Sequence, residues 1–206
     1  MADAVAEQIA ALKDEDWAIR EEAATMLGTL RDPRAVAPLV SVLRDGDRAV
    51  REDAVRALGQ IGDARAVECL VTAMKEPGLR PLAVEALGRI GDRRAVPVLI
   101  NVLEGVDRPE VSRPIDGCGD RWDEEILTLG AAVRALGAIR DEAAIPSLMK
   151  ALRHTVTRAE AADALTRFGS AVIAPLLAVL ARESDDNIRY HVKDTLAKVG
   201  WRSGRI

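Results

Sequence analysis

The chain of 206 residues is 49% hydrophobic and 30% charged, and only 2% of its residues are aromatic. This composition favours helices and disfavours sheets. The formal net charge of −4 indicates no broad basic field, so we expect no binding to nucleic acid or to an anionic membrane. The sequence contains no signal peptide and no uninterrupted run of 18 apolar residues, which predicts a cytoplasmic protein without a transmembrane helix.

The sequence repeats itself along most of its length. Residues 14–44 and 45–75 match in pattern, so that Gly28 and Gly59 are 31 residues apart. A fixed period of this size is typical of a solenoid, in which each repeat buries its apolar face against its neighbour. The repeat therefore predicts the architecture directly.

Each repeat contains two amphipathic patterns, which we name helix A and helix B. In the second repeat, helix A is expected to begin after Asp47, a good N-cap residue, and to end at Gly62, which suits a left-handed stop. Helix B follows Asp63 and has apolar residues at helical spacing from Val67 to Met74. Each helix has one apolar stripe that a neighbouring helix must cover.

The pattern predicts a single domain over residues 1–206. It begins with a lone helix B in residues 1–13 and ends with a lone helix A at about 187–200. Gln8 and Lys193 replace apolar residues on these outermost helices, as the capping of a solenoid requires. Five repeats lie between them, at about 14–44, 45–75, 76–104, 123–153 and 154–181. We expect an all-α fold of about twelve helices that forms a right-handed, curved α-solenoid.

An irregular insertion at about 105–122 interrupts the repeats. Pro109 and Pro114 exclude a long helix there, and Asp123 is expected to open the next helix A. Loops of this length in compact domains are usually functional or disordered. Within the insertion, Cys118 is either an ordinary exposed cysteine or a reactive thiol, and no neighbouring His supports the second alternative.

Residues 50–63 (VREDAVRALGQIGD) and 65–74 (RAVECLVTAM) resemble HEAT repeats of the phycobilisome-lyase (PBS lyase) type. The resemblance covers the chain except for the insertion. It implies the helical repeat fold, but this family includes bilin lyase subunits, an iron hydroxylase and scaffolds, so the resemblance leaves the function open.

The resemblance also implies a ladder of charged residues that ties neighbouring repeats together. Its turn Asp can cap helix B, and its helix-A Arg can bridge to that Asp with several donors. This structural ladder is expected at Asp32, Asp63, Asp92 and Asp141, and at Arg20, Arg51, Arg80, Arg158 and Arg189.

The sequence contains no motif for catalysis or metal binding. Its two histidines, His154 and His191, belong to different repeats, and neither precedes a Glu as in the His-Glu pairs of the related iron hydroxylases. No phosphate-binding loop or nucleophile motif occurs, and the lone glycines are expected to terminate helices. We therefore expect no catalytic residue, no cofactor and no bound metal.

The concave face formed by the B helices is the candidate binding surface. Its expected side chains are small, nearly neutral and partly apolar, which suits a helix or an extended peptide better than a nucleic acid. A plain solvated face is the alternative. The tryptophans, Trp17, Trp122 and Trp201, either cover local apolar edges or anchor a partner. The candidate contact residues are Val42, Thr72, Val98, Asn101, Val102, Ser147, Lys150 and, in the insertion, Trp122.

These observations predict a non-enzymatic scaffold or adaptor that binds a partner protein or peptide. The alternative is a subunit of a bilin lyase or a related chromophore-handling enzyme, whose groove would hold a tetrapyrrole or a helix of a phycobiliprotein. A tetrapyrrole site needs converging Arg, Tyr or His side chains and a reactive Cys, and the predicted groove offers few of these.

Overall fold

The computed structural model describes residues 3–105 and 119–202, apart from the side chains of residues 119–123. These residues form twelve α-helices and no strand, which confirms the predicted all-α repeat fold. The right-handed curvature stays a prediction. The helices are α1 (Ala4–Ala11), α2 (Trp17–Leu30), α3 (Val36–Val42), α4 (Arg48–Ile61), α5 (Val67–Ala73), α6 (Arg80–Ile90), α7 (Val96–Glu104), α8 (Gly119–Ile139), α9 (Ile145–Ala151), α10 (Arg158–Thr166), α11 (Ile173–Arg182) and α12 (Asp186–Lys198).

The chain forms two compact units, Met1–Ala95 and Val96–Ile206. In the first unit the A helices α2, α4 and α6 pack in a row, and the B helices α1, α3 and α5 lie against them. The second unit repeats this arrangement with α8, α10 and α12 as A helices and with α7, α9 and α11 as B helices. Its core, like that of the first unit, consists of Leu, Val, Ile and Ala side chains from both rows.

Local chemistry sets the ends of the helices where the sequence predicts them. The Asp47 carboxylate accepts a hydrogen bond from the Ala49 amide at 2.8 Å, which satisfies a free donor at the start of α4. Helix α4 ends at Gly62, whose φ of 74° is the left-handed conformation that glycine adopts without steric cost. Asp63 then caps the short 3-10 turn that leads into α5.

Other glycines lie inside the A helices, and for them the expectation that glycines terminate helices is wrong. A Cβ added to Gly59 in α4 would lie 2.8 Å from both Cα and Cβ of Ala86 in α6. A Cβ on Gly28 would lie 2.9 Å from Cα of Ala57, and in the second unit Gly137 makes a similar close approach. Neighbouring A helices thus pack at a distance that only glycine allows.

Helix α8 begins at Gly119, four residues before the expected start at Asp123. Residues 119–139 contain no proline, and Glu124 and Glu125 lie near the start of the helix, where negative charge is favourable, so the helix extends back into the predicted insertion. The remainder of that insertion, residues 106–118 with Cys118, lies outside the described residues. Helix α12 agrees within two residues with its predicted range.

Candidate functional site

The B helices expose mainly small and uncharged side chains. In α3, α5, α7, α9 and α11, two positions four residues apart are exposed, one on each turn. These positions carry a single acidic residue in the first unit and a single basic residue in the second. They are Ala37 and Ser41 in α3, Glu68 and Thr72 in α5, Pro97 and Asn101 in α7, Pro146 and Lys150 in α9, and Ala174 and Ala178 in α11. Three exposed charged residues lie outside this pattern, namely Glu7 in α1, Glu104 at the end of α7 and Arg182 at the end of α11.

Helix α7 presents the most apolar part of the predicted surface. Val98 and Val102 are half-buried and lie one turn apart, beside the exposed Asn101. The neighbouring Leu99 and Leu103 are buried in the core. The two valines therefore border the exposed stripe, where a bound partner can cover the parts of their side chains that solvent still reaches.

Two predicted contact residues do not face outward. Val42 is 7% exposed and Ser147 is 5% exposed, so the expectation that both lie on the open surface is wrong. The turn of the next repeat packs against α3, and both α7 and α10 pack against α9. Because of these neighbours, only about one residue in each turn of a B helix remains exposed to solvent.

Lys150 is exposed, and its Nζ lies 3.6 Å from Oε1 of Glu104, which joins α9 to the end of α7. Both side chains are largely in solvent, so this ion pair contributes little stability, but it offsets the charge of the basic residue among the ten positions named above. Trp122 lies in the first turn of α8, and its side chain is outside the described part of the chain, so its contact with this surface stays a prediction.

The turn aspartates cap the start of the B-helix segments. Asp32 and Asp63 each accept a hydrogen bond at 2.8 Å from the amide two residues later, and Asp92 and Asp141 make the same contact at 2.8 and 3.0 Å. The Arg65 side chain pairs with Asp63 and lowers the pKa of that carboxyl to about 2. The sequence-based expectation of an Asp cap therefore agrees with the geometry.

The helix-A arginines make a contact other than the expected bridge to these aspartates. They donate to backbone carbonyls at or just after the end of the preceding B helix. Arg51 Nη1 lies 2.7 Å from the backbone carbonyl oxygen of Asp45, and Arg80 Nε lies 3.1 Å from that of Met74. Such side chains satisfy carbonyls that a helix end leaves without partners. The same contact is made by Arg20 with Asp14 and Glu15, by Arg158 with Leu152, and by Arg189 with Leu180 and Glu183.

Ion pairs from two of these arginines do connect neighbouring repeats. Arg20 Nε donates to Asp45 Oδ2 at 2.8 Å, and this hydrogen bond lowers the pKa of the Asp45 carboxyl. Arg51 Nε lies 2.9 Å from Glu76 Oε1, but its N–H does not point at that oxygen, so the contact is an ion pair without a hydrogen bond.

A second set of arginines, which the sequence analysis missed, also links the repeats of the first unit. Arg65 Nη2 donates to the Pro33 oxygen at 2.9 Å, and Arg94 Nη2 donates to the Ala64 oxygen at 2.8 Å. Arg34 makes an ion pair with the side-chain carboxylate of Asp3. The signal was visible, because Arg-Ala-Val recurs two residues after the turn Asp in the first three repeats.

Two family models match the chain. The HEAT repeats model matches residues 5–80, and the PBS lyase HEAT-like repeat model matches residues 82–105 and 129–154. The chain is a HEAT-repeat protein of the PBS lyase type. Comparison of this HEAT-repeat protein with curated protein sequences gives no match.

Solved structures share the fold of this HEAT-repeat protein. A chain in the complex of CpcE and CpcF of phycocyanin lyase from Nostoc sp. PCC7120 is 28% identical, with a TM-score of 0.68, and the match covers 98% of this chain and 79% of that one. An engineered protein is 21% identical with a TM-score of 0.58, over 97% of this chain and 99% of its own. A designed armadillo repeat protein in complex with the peptide (KR)4 is 16% identical with a TM-score of 0.55, over 95% and 99% of the two chains, and shows the fold alone.

The described residues of this HEAT-repeat protein contain no group of three or more His, Cys, Asp and Glu side chains that could hold a metal ion. Cys69 is half-buried, its Sγ lies 2.9 Å from the Ala66 oxygen, and burial raises the pKa of the thiol, which disfavours the nucleophilic thiolate. Among the helices in the same part of the chain, none is long and apolar enough to cross a membrane.

Proposed function

We propose that this HEAT-repeat protein is a non-enzymatic scaffold that binds a partner protein or peptide on the exposed faces of its B helices. The observation that carries the proposal is a contrast between the two rows of helices. The exposed faces of the A helices α4 and α6 hold paired charges, Arg48 with Glu52 and Arg89 with Glu85. The ten repeated exposed positions of α3, α5, α7, α9 and α11 carry two charged residues, Glu68 and Lys150.

This contrast favours the B helices as the binding row. A partner that covers charged side chains must remove water from them, and this desolvation offsets much of the attraction. A partner that covers α7 instead buries the open edges of Val98 and Val102 and leaves Lys150 and Glu104 at the rim, where charges orient a partner more than they tighten it. Asn101 supplies a polar contact that fixes the register. An amphipathic helix or an extended peptide has the shape and chemistry for this surface.

Substitution of the α7 valines tests the proposal. A partner captured with the wild-type protein is expected to be lost with Val98→Glu and with Val102→Glu, because each places a carboxylate in the apolar part of the contact. Val156→Glu is the matched control, since Val156 is an exposed valine in the turn between α9 and α10, away from the B-helix stripe. Equal capture by the wild type and both α7 variants would exclude this face as the site.

A bilin lyase subunit is the second candidate function. The 28% identity over 98% of the chain to a protein of the phycocyanin lyase complex favours it. Against it, the described B-helix faces bring together no cluster of Arg, Tyr or His with a reactive thiol, and the single tyrosine, Tyr190, lies on α12. Mixing the protein with a free bilin separates the two functions: a scaffold leaves the visible absorbance spectrum of the bilin unchanged, and a shifted spectrum supports the chromophore-handling role.

A further inference from the structure

Three basic side chains form a row along one edge of the first unit, which we name the basic edge. Lys13, Arg44 and Lys75 each lie two residues after the last residue of a B helix, namely α1, α3 and α5. All three residues are exposed, and none of their side chains makes a hydrogen bond or an ion pair within the described part of the chain. Among the other basic residues of 3–95, only Arg31 is in the same situation, and it lies at the opposite end of α2.

The carboxylates beside the basic edge are engaged by other arginines. Asp45 Oδ2 lies 2.8 Å from Arg20 Nε, and Glu76 Oε1 lies 2.9 Å from Arg51 Nε. The helix-A arginines therefore hold the acidic groups that follow the second and third cations of the row. Residues 14–16, which follow the first cation, are acidic and exposed, so the positive field is strongest at the second and third positions.

The second unit differs at the equivalent positions. Glu104 replaces the cation in α7, and Arg153, two residues after α9, pairs with Glu183 at 3.2 Å. The dipole of a helix favours a cation near its C-terminus, which explains why basic residues follow several B helices. The dipole does not explain why three successive cations of the first unit keep no counter-ion while Arg153 has one.

We propose that the basic edge binds an acidic helical segment of a partner protein. The row contains one cation for each repeat, and packed helices are about 8–10 Å apart. Residues seven positions apart on a helix share one face and are about 10.5 Å apart, so Glu or Asp at every seventh position places one carboxylate opposite each cation. The residues three positions before the cations are small and exposed, which lets a helix approach the row closely. They are Ala10, Ser41 and Thr72.

A nucleic acid fits the basic edge less well. Double-stranded DNA carries one negative charge for about every 1.7 Å of its axis, a far denser array than one cation for each repeat. The exposed acidic residues 14–16 at this edge repel a continuous phosphate backbone, and the formal net charge of the chain is −4. A partner helix instead carries uncharged residues between its carboxylates.

Titration with a designed peptide tests the proposal. The probe is an alanine-rich helical peptide with Glu at every seventh position, and amide chemical shifts of the ¹⁵N-labelled protein measure its affinity even where binding is weak. We expect saturable binding at low salt that weakens as salt is added, because the contacts are exposed ion pairs. The double variant Arg44→Glu with Lys75→Glu should bind at least fivefold more weakly. The neutral pair Arg44→Gln with Lys75→Gln should also bind more weakly, and circular dichroism verifies that both variants are folded.

Arg31→Glu is the matched control for Arg44→Glu, because both change the net charge equally. Arg31 follows the far end of α2, a helix about 20 Å long, so its reversal should leave the affinity within about twofold of the wild type. A peptide of the same composition, with its Glu residues moved to different faces, should bind more weakly than the designed peptide.

Four results would overturn the proposal. They are no binding by the wild type at low salt, an equal loss for Arg31→Glu and Arg44→Glu, tighter binding of an oligothymidylate with the same net charge, and variants with lower urea midpoints but unchanged affinity. The last result would limit the cations to stabilising helix ends. Val98→Glu lies in α7 and should bind the peptide as the wild type does, so failure of this inference is distinguishable from failure of the proposed function.

Discussion

Replacing Gly59 by Ala should destabilise the first unit, although alanine is the better helix former. The new Cβ would lie 2.8 Å from Cα of Ala86, whereas two carbon atoms pack best at about 3.5–4.0 Å. The clashing atom belongs to the backbone of α6, so no side-chain rotation relieves the contact. Helices α4 and α6 must move apart by several tenths of an ångström.

Two opposing terms decide the size of the effect. Replacement of glycine by alanine inside a helix contributes about 1 kcal/mol of stability, and overpacking of a close contact costs about 1–3 kcal/mol. The net loss should therefore reach as much as about 2 kcal/mol. Urea unfolding followed by circular dichroism measures it as a lower transition midpoint.

The chain supplies a matched control and a partial rescue. Gly46 has open space around its Cβ position and no left-handed backbone, so Gly46→Ala should be neutral or stabilising by about 0.4–1 kcal/mol. Adding Ala86→Gly to Gly59→Ala removes one of the two clashing atoms and should recover part of the loss. If Gly59→Ala is as stable as the wild type, the close approach of α4 and α6 does not explain the glycine.

Two further predictions concern the charged ladder. Arg51→Ala should lower the free energy of unfolding by about 1–2 kcal/mol, because the Asp45 carbonyl and the Glu76 carboxylate lose their contact with the guanidinium group. The affinity for the bound protein or peptide should stay unchanged. Lost affinity at unchanged stability would contradict this structural role. Asp63→Asn should be less stable than the wild type at pH 7 and equally stable below about pH 2. The reason is that the Asp63 carboxyl, whose pKa is lowered in the folded protein, stabilises the fold only while it is ionised. This contribution is lost as the pH falls from about 4, the pKa of an ordinary Asp, through about 2. Urea midpoints at both pH values measure this difference, and one that persists at low pH would refute the assignment.

Local chemistry explains why much of the fold could be predicted from the sequence. The contact of Asp63 with the amide two residues later needs only the chain near that turn, and Gly62 ends α4 by its own backbone preference. The period of Gly28 and Gly59 then gives the repeat. Each of these features is complete within about 30 residues.

Features that depend on neighbouring repeats could not be predicted in the same way. The expected partners of Arg51 were wrong because its side chain reaches carbonyls that only the folded turn brings close. Val42 and Ser147 were expected on the surface, but the width of the exposed arc depends on how adjacent repeats pack.

Calorimetric titration of the purified partner against the wild type and the double variant Val98→Glu with Val102→Glu tests the central claim most directly. The scaffold proposal predicts at least tenfold weaker binding, about 1.4 kcal/mol, because two carboxylates would be buried without partners. Val156→Glu should bind as the wild type does. Equal affinity of all three proteins for the partner would contradict binding at the exposed face of α7.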